Sequence, residues 1–158
     1  MEFLETNQIS EWATNRGLAP ETNLETVLRE SETRSRGTYA EGRRSGREPA
    51  AAADLLAQLG PRDECLVWIR GWGIWSSGED WPEFYAWRGA SGERRSLEKA
   101  PGHRFEGGEE ELLTQLLTLI MQNAWDADVV CATRGRMNGV FARISHDEWY
   151  EIQAMTGS

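Results

Sequence analysis

A chain of 158 residues is long enough for one domain with a sizeable core and too short for two comfortable ones. Its 26 acidic and 17 basic side chains give a formal charge of −9, which repels duplex DNA and anionic membranes at long range and favours a basic partner. No run approaches the roughly 20 apolar residues needed to cross a bilayer, and "MEFLETNQISEWATN" lacks the pattern of a secretory signal, so the expected compartment is the cytoplasm.

In chain order, "LETNQISEWATNRGLAPE" predicts a short helix with Phe3, Leu4, Ile9 and Trp12 as apolar points, stopped by Gly17 and Pro20. A second short helix is expected from Glu21 to Arg29. The following "SETRSRGTYAEGRRSGRE" is charged and glycine-containing with a single aromatic residue; it reads as a linker or mobile loop. Residues 1–48 thus form a helical and partly flexible segment ahead of a domain spanning 49–158. Pro49 and "AAAADLLAQLG" open that domain with a helix ending at Gly60 and Pro61.

From Glu64, "ECLVWIRGWGIW" is apolar at both alternating sets of positions, the mark of an interior strand covered on two sides, its glycines permitting a bulge. Ser77 and Asp80 suggest one capped helical turn, leading to a strand in "EFYAWRG" with Phe84, Ala86 and Arg88 on one face. "ASGERRS" and "APGH" read as turns, and "HRFEG" as a short strand. Leu112, Leu113, Leu116, Leu117, Ile120, Met121 and Ala124 recur at helical steps behind Glu109 to Glu111, predicting an amphipathic helix facing a sheet. "DADVVCAT" and "GVFARIS" give two strands around a polar turn, and "SHDEWYEI" a terminal helix capped by Ser145 and Glu148. The series implies an α+β fold: an antiparallel or mixed sheet of about four strands packed against helices on one side.

"WIRGWGIWSSGEDW", residues 68–81, holds four tryptophans in fourteen positions. Trp68 and Trp72 are expected to share a strand face against the long helix. Trp75, Trp81 and Trp87, near Glu79 and Asp80, are candidates for a docking surface or pocket; core packing is the other use of such rings. His103 and His146 lack metal-binding spacing, and they are expected to tie down a loop and follow a cap, respectively. Cys65 and Cys131 lie in apolar runs without C-x-x-C spacing, so buried thiols are the plain reading, against a disulfide or a reactive cysteine. There is no nucleophile elbow, P-loop or dinucleotide fingerprint, and no metal or cofactor is expected. Arg43, Arg44, Arg47, Arg94, Arg95, Arg134 and Arg136 are dispersed through an acidic chain, which argues against nucleic acid.

The segments "WGIWSSGEDWPEFYAWR", "APGHRF", "WDADVV" and "SHDEWYE", in this order, resemble a group of small uncharacterised bacterial proteins with a W-G-x-W strand end, an A-P-G-H loop and a closing S-H-D-E-W segment. The resemblance covers about residues 64–153 and implies no activity, hence no role for Trp75, His103 or His146. In size and charge the chain is also similar in general character to immunity proteins that block toxins. Two functions are expected from these features. The first is a non-catalytic interaction protein, immunity- or antitoxin-like, binding a basic protein through Trp75, Trp81, Trp87, Glu79, Asp80, His103 and His146. The second is a small-molecule binder or small hydrolytic enzyme whose tryptophans wall a pocket, with His103 as polar contact or general base.

Overall fold

The two apolar faces read in "ECLVWIRG" belong to a strand, Glu64–Gly71, that lies inside a sheet with neighbours on both sides. The computed structural model describes residues 1–39, 44–73 and 79–155. Among them seven strands are found: β1 Glu2–Leu4, β2 Glu32–Thr38, β3 Glu64–Gly71, β4 Gly102–Glu106, β5 Asp126–Thr133, β6 Arg136–Ile144 and β7 Trp149–Ala154. The helices are α1 Thr6–Thr14, α2 Leu24–Arg29, α3 Glu48–Leu59, α4 Trp81–Ala90 and α5 Glu110–Asn123. All pairings are antiparallel, and the strands form one sheet in the order β1-β4-β3-β5-β6-β7-β2.

The α+β class holds, but a sheet of about four strands with helices on one side does not. The sheet has seven strands, and both of its faces are covered. Cys65, Val67, Ile69, Ala127 and Val129 pack with Leu55, Phe84, Leu116 and Ile120 from α3, α4 and α5. The alternate residues Leu66, Val130 and Phe141 pack with Ile9, Trp12, Leu24 and Leu28 from α1 and α2. Strands β1 and β2 escape notice because edge strands need no alternating apolar side chains; β2, read as loop, is mostly exposed and is held by its backbone ladder to β7 and by Arg36 against Glu151. Its register shifts between Thr33 and Ser35.

Two elements change type. "EFYAWRG" is helical, because Asp80 caps the first turn by accepting from the Glu83 N–H at 3.3 Å, and Pro82 fits that turn. Its fully buried residues Phe84 and Arg88 are four apart, a helical spacing that a short strand pattern also contains. "SHDEWYEI" is a turn followed by β7. The Ser145 hydroxyl accepts from the Asp147 N–H at 3.1 Å, the Ser145 N–H donates to the Trp149 carbonyl at 2.9 Å, and Glu148 takes φ +68°. A serine hydroxyl satisfies a turn as well as a helix start, so its spacing alone does not choose.

Cys65 and Cys131 face each other across β3 and β5, with Cα atoms 4.2 Å apart, and are joined in a disulfide, so they are not the expected thiols. Trp68 and Trp72 do not share a face: the register shift between Ile69 and Gly71 leaves Trp68 on the α1–α2 side and Trp72 against the α3–α5 core. No helix of the described residues is long and apolar enough to cross a membrane.

Gly102, read as part of a turn, begins β4 between β1 and β3. A Cβ there would meet Ile9 Cγ1 at 2.8 Å, Ile9 Cδ1 at 2.9 Å and Leu4 Cβ at 3.0 Å, so the missing side chain lets α1 and β1 seat on the sheet. Gly102→Ala is expected to cost about 1–3 kcal/mol in urea denaturation, with faster amide exchange over residues 2–14, because the site is overpacked.

Candidate functional site

Helix α4 positions most of the predicted residues. Its inner face is set by Phe84 and Arg88, both fully buried. Trp81, Tyr85 and Trp87 flank that face, Trp81 and Trp87 half-buried against the core and Tyr85 and Trp87 on opposite sides of it. Tyr85, at 38% exposure, stacks on Trp81 with ring centroids 5.6 Å apart and planes 22° apart, and Trp81 rests on the buried Trp125 at 4.9 Å. Trp87 reaches α5, its Nε1 donating to Gln115 Oε1 at 3.1 Å. Between the two helices lies a groove of about 490 Å³, lined by Trp87, Leu119 and Pro49 with Glu83 and Glu111 as its carboxylates.

Glu79 and Asp80 anchor the start of this helix. Glu79 Oε1 accepts from Trp125 Nε1 at 3.2 Å and from the Gly73 N–H. The Asp80 N–H donates to Asn123 Oδ1 at 2.7 Å, which ties the α4 cap to the end of α5. Arg44 stands 3.7 Å from Asp80 and 3.6 Å from Glu83, an exposed arrangement of small energetic weight.

His103 lies beneath α4, fully buried, with Phe3, Phe84 and Trp87 around its ring at 5.4, 6.2 and 6.1 Å. Its contact is a side chain: Nε2 is 2.8 Å from Arg88 Nη1. A guanidinium can only donate, so Nε2 accepts and the imidazole is neutral. Burial, then the Arg88 charge, depresses the imidazole to about 3. Arg88 also donates to the Ala100 and Arg95 carbonyls, both at 3.1 Å, and burial lowers it from its ordinary value. Phe3 and Phe84 lie under its charge at 5.1 and 5.5 Å. Nearby, hydrogen bonds from Arg95 hold the Glu93 carboxyl down at about 2. His103 therefore braces α4 from within and lines no groove.

His146 belongs to a different place. In the β6–β7 turn its Nδ1 lies 2.9 Å from Asp126 Oδ1, the same oxygen that accepts from its own backbone N–H at 2.8 Å. Trp75 lies outside the described residues, as does Ser77. Trp81, Trp87, Glu79 and Asp80 thus gather about α4, with His103 below and His146 apart. Glu83, Glu111 and Gln115 line the groove with Trp87, which was legible only once "DWPEFYAWR" was taken as helix; Tyr85 lies off it, its hydroxyl accepting from the Leu97 N–H at 3.1 Å. Among the described residues no group of three or more His, Cys, Asp or Glu side chains could hold a metal ion. The groove offers flat aromatic area, amides, hydroxyls and carboxylates, which is recognition chemistry. Comparison with protein-family models, curated proteins and solved structures gave no match to this chain.

Proposed function

We propose that this chain is a protein-binding module, of the immunity or antitoxin kind, that docks a basic amphipathic segment of a partner protein in the groove between α4 and α5. The carrying observation is the groove itself, where Trp87 and Leu119 lie beside the carboxylates of Glu83 and Glu111, on a chain of net charge −9. Rigid aromatic rings supply most of the binding energy where they can be desolvated, and surrounding carboxylates select and steer a cationic partner. A groove between two helices suits an amphipathic helix, whose apolar stripe would cover Trp87 and Leu119 while its lysines or arginines meet Glu83 and Glu111. His103 as a general base receives no support, since the imidazole is buried and Nε2 is occupied.

Isothermal titration with a lysine-rich amphipathic helical peptide and with its glutamate-for-lysine counterpart tests this reading. The lysine peptide is expected to bind, about tenfold more weakly at high salt, and to lose binding in Trp87→Ala and in the Glu83→Lys, Glu111→Lys double variant. Equal binding of the acidic peptide, binding indifferent to Trp87→Ala, or no binding of either peptide would overturn it.

A further inference from the structure

A second recess, independent of the α4 groove, opens where β3, β5, β6 and β7 end. Its volume is about 300 Å³, at the small end for ligand pockets, and its lining includes Arg70, Asp126, Asp128, Arg143 and Trp149. Asp126 and Asp128 are two apart on β5, so they share a strand face about 7 Å apart. Asp128, only 1% exposed, takes Arg70 Nη1 on Oδ2 and Arg143 Nε on Oδ1, each at 3.0 Å. Both arginines are held a second time, Arg70 by Glu25 and Arg143 by the Leu28 carbonyl at 3.1 Å. The two guanidinium groups are therefore fixed before any ligand arrives, and donors remain: neither Arg143 Nη1 nor Arg70 Nε is used by these bonds.

At the other pole the Asp126 side chain keeps 35% of its surface exposed while His146 orients it. Trp149 supplies a flat wall, itself steadied by the Arg36 guanidinium 4.3 Å from its ring centroid. The lining charges, two guanidiniums and two carboxylates, sum to zero. A bare anion or cation gains nothing from that total, whereas a ligand carrying one charge of each sign is matched at both poles. We infer that this recess binds a free α-amino acid with a large apolar side chain, its carboxylate on Arg143 and Arg70, its ammonium on Asp126 and its side chain over Trp149. The unused nitrogen on each fixed guanidinium can donate to one oxygen of a carboxylate, and the small volume excludes a folded peptide.

Calorimetric titration of the full chain with L-phenylalanine and L-leucine tests the assignment, with N-acetyl-L-phenylalanine, L-phenylalanine amide and sodium acetate as controls. Saturable binding of a free amino acid is expected, weakened about tenfold or more by blocking either charge. Asp126→Asn should abolish the preference for the free over the acetylated form, and Trp149→Ala should weaken L-phenylalanine. No saturable heat up to about 10 mM, equal binding of the blocked compounds, or acetate competing as well as phenylalanine would each overturn the assignment. The blocked compounds are compared on the unaltered chain, so the test stands even if a variant fails to fold.

Discussion

Arg88→Met is expected to lower the unfolding free energy by about 3 kcal/mol at neutral pH, because it strips donors from the buried Ala100 carbonyl, from the half-buried Arg95 carbonyl and from His103 Nε2. Relief from burying a charge offsets part of the loss, which keeps the figure below the sum of three unsatisfied groups. The same buried pair gives the protein a pH dependence whose sign is fixed. His103 titrates at about 3 when folded and near 6.5 when unfolded, so below 6.5 the unfolded chain takes up a proton that the folded chain refuses. Stability from this residue is complete above pH 6.5 and is lost as the pH falls toward 3. At about 1.4 kcal/mol per pH unit the loss between pH 7 and pH 5 is about 2 kcal/mol. The carboxyls of Glu64, Glu93, Glu109 and Glu151 are held below their ordinary value, so their stabilising contributions are lost only at lower pH. Urea denaturation at the two pH values reads the effect, and His103→Gln, whose carbonyl oxygen can still accept from Arg88, should flatten it. A wild-type profile already flat between pH 7 and pH 5 would show that His103 does not stay neutral.

Trp125→Ala is the second large change, expected to cost about 4 kcal/mol. Trp125 is fully buried, its ring lies 4.9 Å from both Trp81 and Phe84, and its Nε1 holds Glu79. The cavity would open beneath the first turn of α4, so that helix should loosen before the sheet does. Trp125→Phe keeps most of the packing and drops the bond to Glu79, with an expected cost of about 1–2 kcal/mol. Hydrogen exchange distinguishes the two consequences: residues 81–90 should lose protection in Trp125→Phe while β3 and β5 keep theirs. Equal loss across the sheet would mean that Trp125 belongs to the global core and does not specifically seat α4.

Where a segment had many apolar residues at one period, its structure was legible in the sequence. The leucines of α5, the alanine-rich α3 and the doubly apolar β3 each had one consistent physical solution. The segment 81–90 did not, because Phe84, Ala86 and Arg88 fit a two-residue period while Phe84 and Arg88 fit a helical one, and the cap at Asp80 with Pro82 in the first turn separates them. β2 was illegible for a different reason: its stabilisation is backbone pairing to β7, which leaves no side-chain period behind. The pairing of Cys65 with Cys131 spans 66 residues and is set by strand register, which neither local segment encodes. At the α4 site the aromatic and acidic residues stood out by composition. Their support did not, since the Arg88–His103 contact exists only if 81–90 is helical and β4 passes under it.

The outermost strand of the sheet has a consequence for crowded solutions. A seven-residue open edge is a template on which another molecule could zip, yet β2 carries Arg34 and Arg36 and is kinked between Thr33 and Ser35. A neighbour adding there would have to straighten the kink and crowd its own chain against those guanidiniums. Those charges and that kink thereby disfavour fibril growth along this rim.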